Sequence, residues 1–197
     1  MRKYLLHVLI ISIFSLVLFT CPFVFAQSHK LTDECWNKAE ELEKQGKYLE
    51  AAEMYVKAIG VEKASPNPRT ELHAFALNTV GYNYYMAGQY DKALEYYEES
   101  LAIAEKLGQE AGVATCLSNI GGVYKSRGQY DKAIEYYKEA LAIDKRQGRE
   151  ADVATVLNNI GGVYSSRGQY DKAIKNYEEA LVIDKRLGRE ADVGVRL

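Results

Sequence analysis

Gly128-Gln129-Tyr130-Asp131-Lys132-Ala133 returns unchanged forty residues later as Gly168-Gln169-Tyr170-Asp171-Lys172-Ala173. Forty residues earlier it stands as Gly88-Gln89-Tyr90-Asp91-Lys92-Ala93, and 42 earlier again as a looser Gly46-Lys47-Tyr48-Leu49-Glu50-Ala51. Residues 111–150 and 151–190 match at 31 of 40 positions. Self-similarity at a fixed period of this size is the mark of a repeat architecture, in which no unit buries its apolar stripe alone.

Each unit reads as two helices. Val153, Val156, Leu157, Ile160, Gly161 and Tyr164 fall at the three-and-four spacing of one helix face. Arg167-Gly168-Gln169 supplies a turn, with glycine free to take the left-handed conformation that ends helices. Tyr170, Ala173, Ile174, Tyr177, Ala180, Leu181, Ile183 and Asp184 then form a second stripe. Asp171 in its first turn and Lys185-Arg186 in its last complement the helix dipole. Gly108, Gly148 and Gly188 are expected to close the units. Small residues such as Gly121 and Ala133 let paired helices approach, and Tyr124, Tyr130 and Tyr137 are expected to fill the space between units.

At these residues the chain resembles the tetratricopeptide repeat family. The pattern Leu157-x-x-Ile160-Gly161-x-x-Tyr164, Gly168-x-Tyr170-x-x-Ala173, Tyr177-x-x-Ala180 is similar to that family's signature. Leu117, Ile120, Gly121, Tyr124, Gly128, Tyr130, Ala133, Tyr137 and Ala140 repeat it. Leu77, Val80, Gly81, Tyr84, Gly88, Tyr90, Ala93 and Tyr97 do so again, with Ser100 in place of the last alanine. A first, degenerate unit keeps Gly46, Tyr48, Ala51, Tyr55 and Ala58. The family's usual period is about 34 residues, so these units are longer and resemble kinesin-light-chain-like repeats. The resemblance implies an all-α fold, a right-handed superhelical solenoid of stacked helix-turn-helix repeats with a concave face. The units are read as 33–66 (degenerate), 71–110, 111–150 and 151–190, with 191–197 beginning an incomplete fifth.

Residues 1–26 have a different character. Arg2 and Lys3 precede an apolar run from Leu5 to Phe19, and Val24-Phe25-Ala26 offers a small-residue exit. This is the pattern of a secretory signal, with cleavage expected after Ala26. Tyr4 to Ala26 also gives 23 residues free of Lys, Arg, Asp and Glu, enough to span a bilayer if uncleaved. The array at 27–197 is therefore expected to be exported, periplasmic or secreted, with membrane anchoring through residues 1–26 as the alternative.

Beyond residue 26 the chain holds 23 Lys and Arg against 27 Asp and Glu, which argues against nucleic acid as a partner. Only His29 and His73 remain there, with no HExxH spacing, no GxxxxGK(S/T) phosphate loop and no GxSxG elbow. No catalytic residue, cofactor or metal site is expected. Cys35 and Cys116 lie in units one and three, roughly 30–40 Å apart if packed helices are about 8–10 Å apart. A disulfide needs α-carbons within about 7 Å, so an intramolecular bridge is not expected. Cys116 should pack as a small apolar residue, and Cys35, if exposed, could link chains.

The resemblance places the binding surface on the first helix of each unit: Asn78, Tyr82 and Tyr85, then Ser118, Asn119 and Lys125, then Asn158, Asn159 and Ser165. Asn119 and Asn159 coincide with asparagines that kinesin-light-chain-like arrays use to hold a peptide backbone, since one amide both donates and accepts. The alternative is that they bond within their own helix layer. Gly122 and Gly162 would clear side chains from the groove floor. Thr155 and Asn159 stand where chaperone-tail clamps need Lys or Arg, which disfavours that subtype. The expected function is an exported scaffold binding a peptide or partner protein. Two alternatives stand beside it: a regulatory array of a longer effector enzyme, such as a caspase-like (CHAT) protease, and a self-assembling structural protein using the last helix for end-to-end contacts.

Overall fold

A computed structural model describes residues 29–64 and 73–189. The expected signal or anchor at 1–26 and the incomplete repeat at 191–197 lie outside them. Among the described residues there are eight helices and no strand: α1 (29–44), α2 (Tyr48–Lys63), α3 (His73–Met86), α4 (Tyr90–Lys106), α5 (Glu110–Ser126), α6 (Tyr130–Arg146), α7 (Glu150–Ser166) and α8 (Tyr170–Arg186). From α2 onward each helix packs on the next, with the tightest pairing inside α3–α4, α5–α6 and α7–α8. The all-α solenoid read from the sequence is the fold observed.

The turns follow from one glycine each. At Gly128 φ is +71°, its N–H donates to the Lys125 carbonyl (2.9 Å), and the Gln129 N–H donates to the Tyr124 carbonyl (2.9 Å). This is the Schellman arrangement, and it satisfies two carbonyls that the end of α5 would otherwise leave bare. Gln129 then precedes α6 directly, with no side-chain cap. The same backbone recurs at Gly148, where α6 ends as the expected unit boundary requires.

Inside a unit, the helices close on a glycine–tyrosine contact. A Cβ placed on Gly121 would meet the Tyr137 ring at 2.9 Å, and one on Gly81 would meet Tyr97 at 2.7 Å. Tyr124 stacks on Tyr136 (centroids 5.3 Å, 10°) and Tyr84 on Tyr96 (5.4 Å, 16°). Lys132 and Lys92 lie over the Tyr124 and Tyr84 rings. The expectation that the tyrosines fill the space between units holds for Tyr137, and the stacking adds a contact within the unit for Tyr124. Tyr124 and Tyr136 stack within a layer, while Tyr137 serves both, packed under Gly121 and sharing a core with Val156, Ile160 and Val163 of the following unit.

Charged side chains fasten the outside. Arg127 pairs with Asp91 and Arg167 with Asp131 between successive units, while Arg146 of α6 reaches Glu110 at the start of α5 (2.9 Å) and Arg186 of α8 reaches Glu150 at the start of α7 (2.8 Å). Exposed pairs of this kind contribute about 0–1 kcal/mol each. Asp144 is different: it is buried and bonded to Arg149. Burial pushes its carboxyl up despite the guanidinium beside it.

Cys35 and Cys116 are both free and buried. Cys35 therefore does not present a surface thiol. Cys116 packs beside the Ser100 hydroxyl (3.2 Å), and burial pushes its thiol up, away from the reactive thiolate.

Candidate protein-binding groove

Helices α3, α5 and α7 touch one another directly, more closely than α4, α6 and α8 do. In a stack whose first helices sit closer than its second helices, the first helices line the concave side. Each buries one stripe, such as Leu77, Val80 and Tyr84 in α3, and turns the opposite stripe outward.

The outward stripe contains the residues expected from the sequence, in unequal states. The Asn119 amide donates to Asn78 Oδ1 (2.9 Å), bridging units two and three. Those two groups are thus partly committed to each other. Asn158 and Asn159 on α7 are half-buried and make no side-chain hydrogen bond within the described residues. The difference has a simple cause: the position of Asn78 holds Ser118 in the next unit, whose shorter side chain makes no such bridge to Asn159. Tyr85 meets the Ser126 hydroxyl (3.0 Å), and Tyr82 is exposed. Ser118 and Ser165 are half-buried on the same stripes.

The second glycines are not equivalent. A Cβ on Gly122 would find only the Tyr137 hydroxyl, at 3.6 Å. The space over Gly162 already holds the end of Lys125, whose Nζ would lie 2.8 Å from a Cβ there. Lys125 has no acidic partner among the described residues, so its ammonium rests between α5 and α7 unopposed.

Sequence reasoning missed Phe75 and Met86. Both are exposed, Phe75 at 64%, and with Tyr82 they form an apolar line along α3 at spacings of seven and four. Trp36 of α1 stacks against Phe75 (6.3 Å, 25°) while donating to Glu40 (2.9 Å). A signal was present: these positions hold Thr115, Gly122 and Ser126 in the next unit, so the apolar residues lie off the repeat's buried stripe. By contrast Thr79, Thr115 and Thr155 donate back to their own helices (2.9–3.1 Å), which leaves them as acceptors toward a ligand. Among the described residues no group of three or more His, Cys, Asp or Glu could hold a metal ion.

Stacked helix pairs with an open polar–aromatic face have the form of a helical-repeat protein-interaction scaffold. The sequence pattern of the Tetratricopeptide repeat family matches residues 35–106, 74–146 and 112–186, so the chain belongs to that family. Among curated proteins none matches the sequence.

Solved structures agree on the fold. BtubC (BKLC) from P. vanneervenii is 26% identical with a TM-score of 0.67, over 84% of this chain and 74% of that one. The nearly identical TPR-like repeats of a Podosopora anserina protein of kinesin-light-chain type give 18% identity and a TM-score of 0.65, over 81% of this chain and 76% of that one. A Rap protein complexed with Competence and Sporulation Factor gives 21% identity and a TM-score of 0.66, over 77% of this chain but 42% of that one.

Proposed function

We propose that the protein is an exported scaffold that holds an extended segment of a partner protein across α3, α5 and α7. The observation that carries this reading is the pair Asn158 and Asn159, half-buried amides with no internal bond on the inward helix. A half-buried amide without a protein partner is satisfied by water, which a peptide backbone can replace with matched donors and acceptors. The Rap protein's complex with Competence and Sporulation Factor supports it by analogy of fold. Export rests on the charged start, apolar run and Ala26 exit of residues 1–26.

Two lost amide contacts of about 0.5–1.5 kcal/mol each weaken binding by roughly 5- to 150-fold. Affinity capture from the producing cells should recover a partner with wild-type protein and far less with Asn158→Ala/Asn159→Ala. Equal recovery with both would exclude the groove.

A second reading, end-to-end association of copies, is favoured by α8. Ile174 is 54% and Tyr177 37% exposed, where their counterparts Ile134 and Tyr137 under α7 are 7% and 2%. Sedimentation over a concentration series tests it, and a concentration-independent monomer would eliminate it.

A further inference from the structure

We infer that the groove takes an uncharged extended segment carrying a large apolar side chain at one end; this rests on the proposed binding reading. Charge is divided sharply between α3, α5 and α7 and the helices that follow them, although α1 is itself charged. α6 carries Asp131, Lys132, Glu135, Lys138, Glu139, Lys145 and Arg146 toward solvent, besides the buried Asp144. α3 carries no Asp, Glu, Lys or Arg at all, α7 none after Asp152, and α5 only Lys125 after Glu110. Yet these inner helices are not sealed off: Phe75, Tyr82, Met86, Thr115 and Thr155 are exposed. An exposed helix face stripped of charge and bearing large apolar residues departs from ordinary solvated surface and marks an interaction face.

The chemistry of the occupant follows. A charged side chain laid against α5 or α7 would lose water and find no counter-charge there, apart from one carboxylate that Lys125 could meet; at the α3 end Glu40 and Glu43 of α1 lie beside Trp36 and Asn83. A string of charges running the length of α5 and α7 is therefore disfavoured. Asn158, Asn159 and the accepting oxygens of Thr115 and Thr155 offer hydrogen bonds to a backbone or to neutral polar side chains. The apolar end is fixed by α3, where Phe75, Tyr82 and Met86, backed by Trp36, provide a patch for an aromatic or long aliphatic side chain. Because α3, α5 and α7 touch directly, two steps from α3 to α7 are about 10 Å each, shorter than a count through both helices of each unit, and correspond to about six residues of extended chain. The apolar residue thus sits about six positions from the backbone held at α7.

Selection of a random peptide library of about twelve residues on the immobilised protein tests this, twelve being about twice the span of the groove. The expected pool is depleted in Asp, Glu, Lys and Arg, and enriched in one large apolar residue flanked by Asn, Gln, Ser, Thr and Gly. A selected peptide should lose at least about tenfold in affinity on Phe75→Ser/Tyr82→Ser and change less than about twofold between about 0.05 and 0.5 M salt. Both substitutions are at exposed positions, and unchanged helicity by circular dichroism confirms that the variant is folded. A pool rich in acids or bases whose binding still falls with Asn158→Ala/Asn159→Ala would overturn the uncharged occupant and leave the groove standing. Peptides indifferent to both double variants, or a selection yielding none, would overturn the two together.

Discussion

A methyl group added at Gly121 would fall 2.9 Å from the ring of Tyr137, and the same methyl at Gly122 would have only a hydroxyl 3.6 Å away. Both glycines lie inside α5, so both substitutions gain about 1 kcal/mol of helix propensity. At Gly121 overpacking against a ring that is itself buried costs about 1–3 kcal/mol and wins. Gly121→Ala should therefore lower stability by up to about 2 kcal/mol, while Gly122→Ala raises it by about 0.5–1 kcal/mol, as urea denaturation would read. If Gly122→Ala also weakens partner capture, that glycine is kept for the groove against its stability cost. The close approach at Gly121 was legible in the sequence, because a small residue at a repeated helix position has few other uses. The partner of each tyrosine was not. Spacing places a ring on a face, but whether it meets its own unit or the next depends on helix separation, and Tyr124 turned inward to Tyr136. Likewise the asparagines were found as a set, but only the side-chain lengths of Asn78 and Ser118 decide that Asn119 is engaged and Asn159 open.

Among helices, α6 and α8 have nearly the same stripe in different surroundings, which separates sequence from context. Ile134→Ser removes a core side chain beneath α7 and should cost about 2–5 kcal/mol. Ile174→Ser, on the exposed copy of that face, should change stability by no more than about 0.5 kcal/mol. Equal losses would mean that α8 is covered in the native protein. Helix ends were legible to within a residue or two because glycine is the natural residue for the left-handed turn that stops each helix. Gly128→Ala keeps the fold but places a side chain at φ +71°, at a cost of about 1–2 kcal/mol. Thermal melting would register it. The apolar line on α3 escaped notice for a reason of scale: amphipathic reading rewards the buried stripe, and Phe75 and Met86 lie opposite it.

For the whole stack, the tyrosines set a limit at high pH. Burial pushes the phenols of Tyr55, Tyr97 and Tyr137 well above their ordinary value, with Glu43 and Glu40 adding to the effect at Tyr55. Below about pH 10 these groups are neutral in both folded and unfolded chains and exert no pull. Above it the unfolded chain releases protons that the folded chain retains, so stability falls as pH rises. Chemical denaturation from about pH 9 to 11 should show that decline, steeper than in a Tyr137→Phe variant. The central claim at this scale is that binding belongs to the inner helices. Hydrogen exchange with and without a captured partner segment tests it most directly. Protection confined to α3, α5 and α7, strongest around Asn158 and Asn159, is the predicted result. Protection on α4, α6 and α8, with the inner helices unchanged, would contradict it.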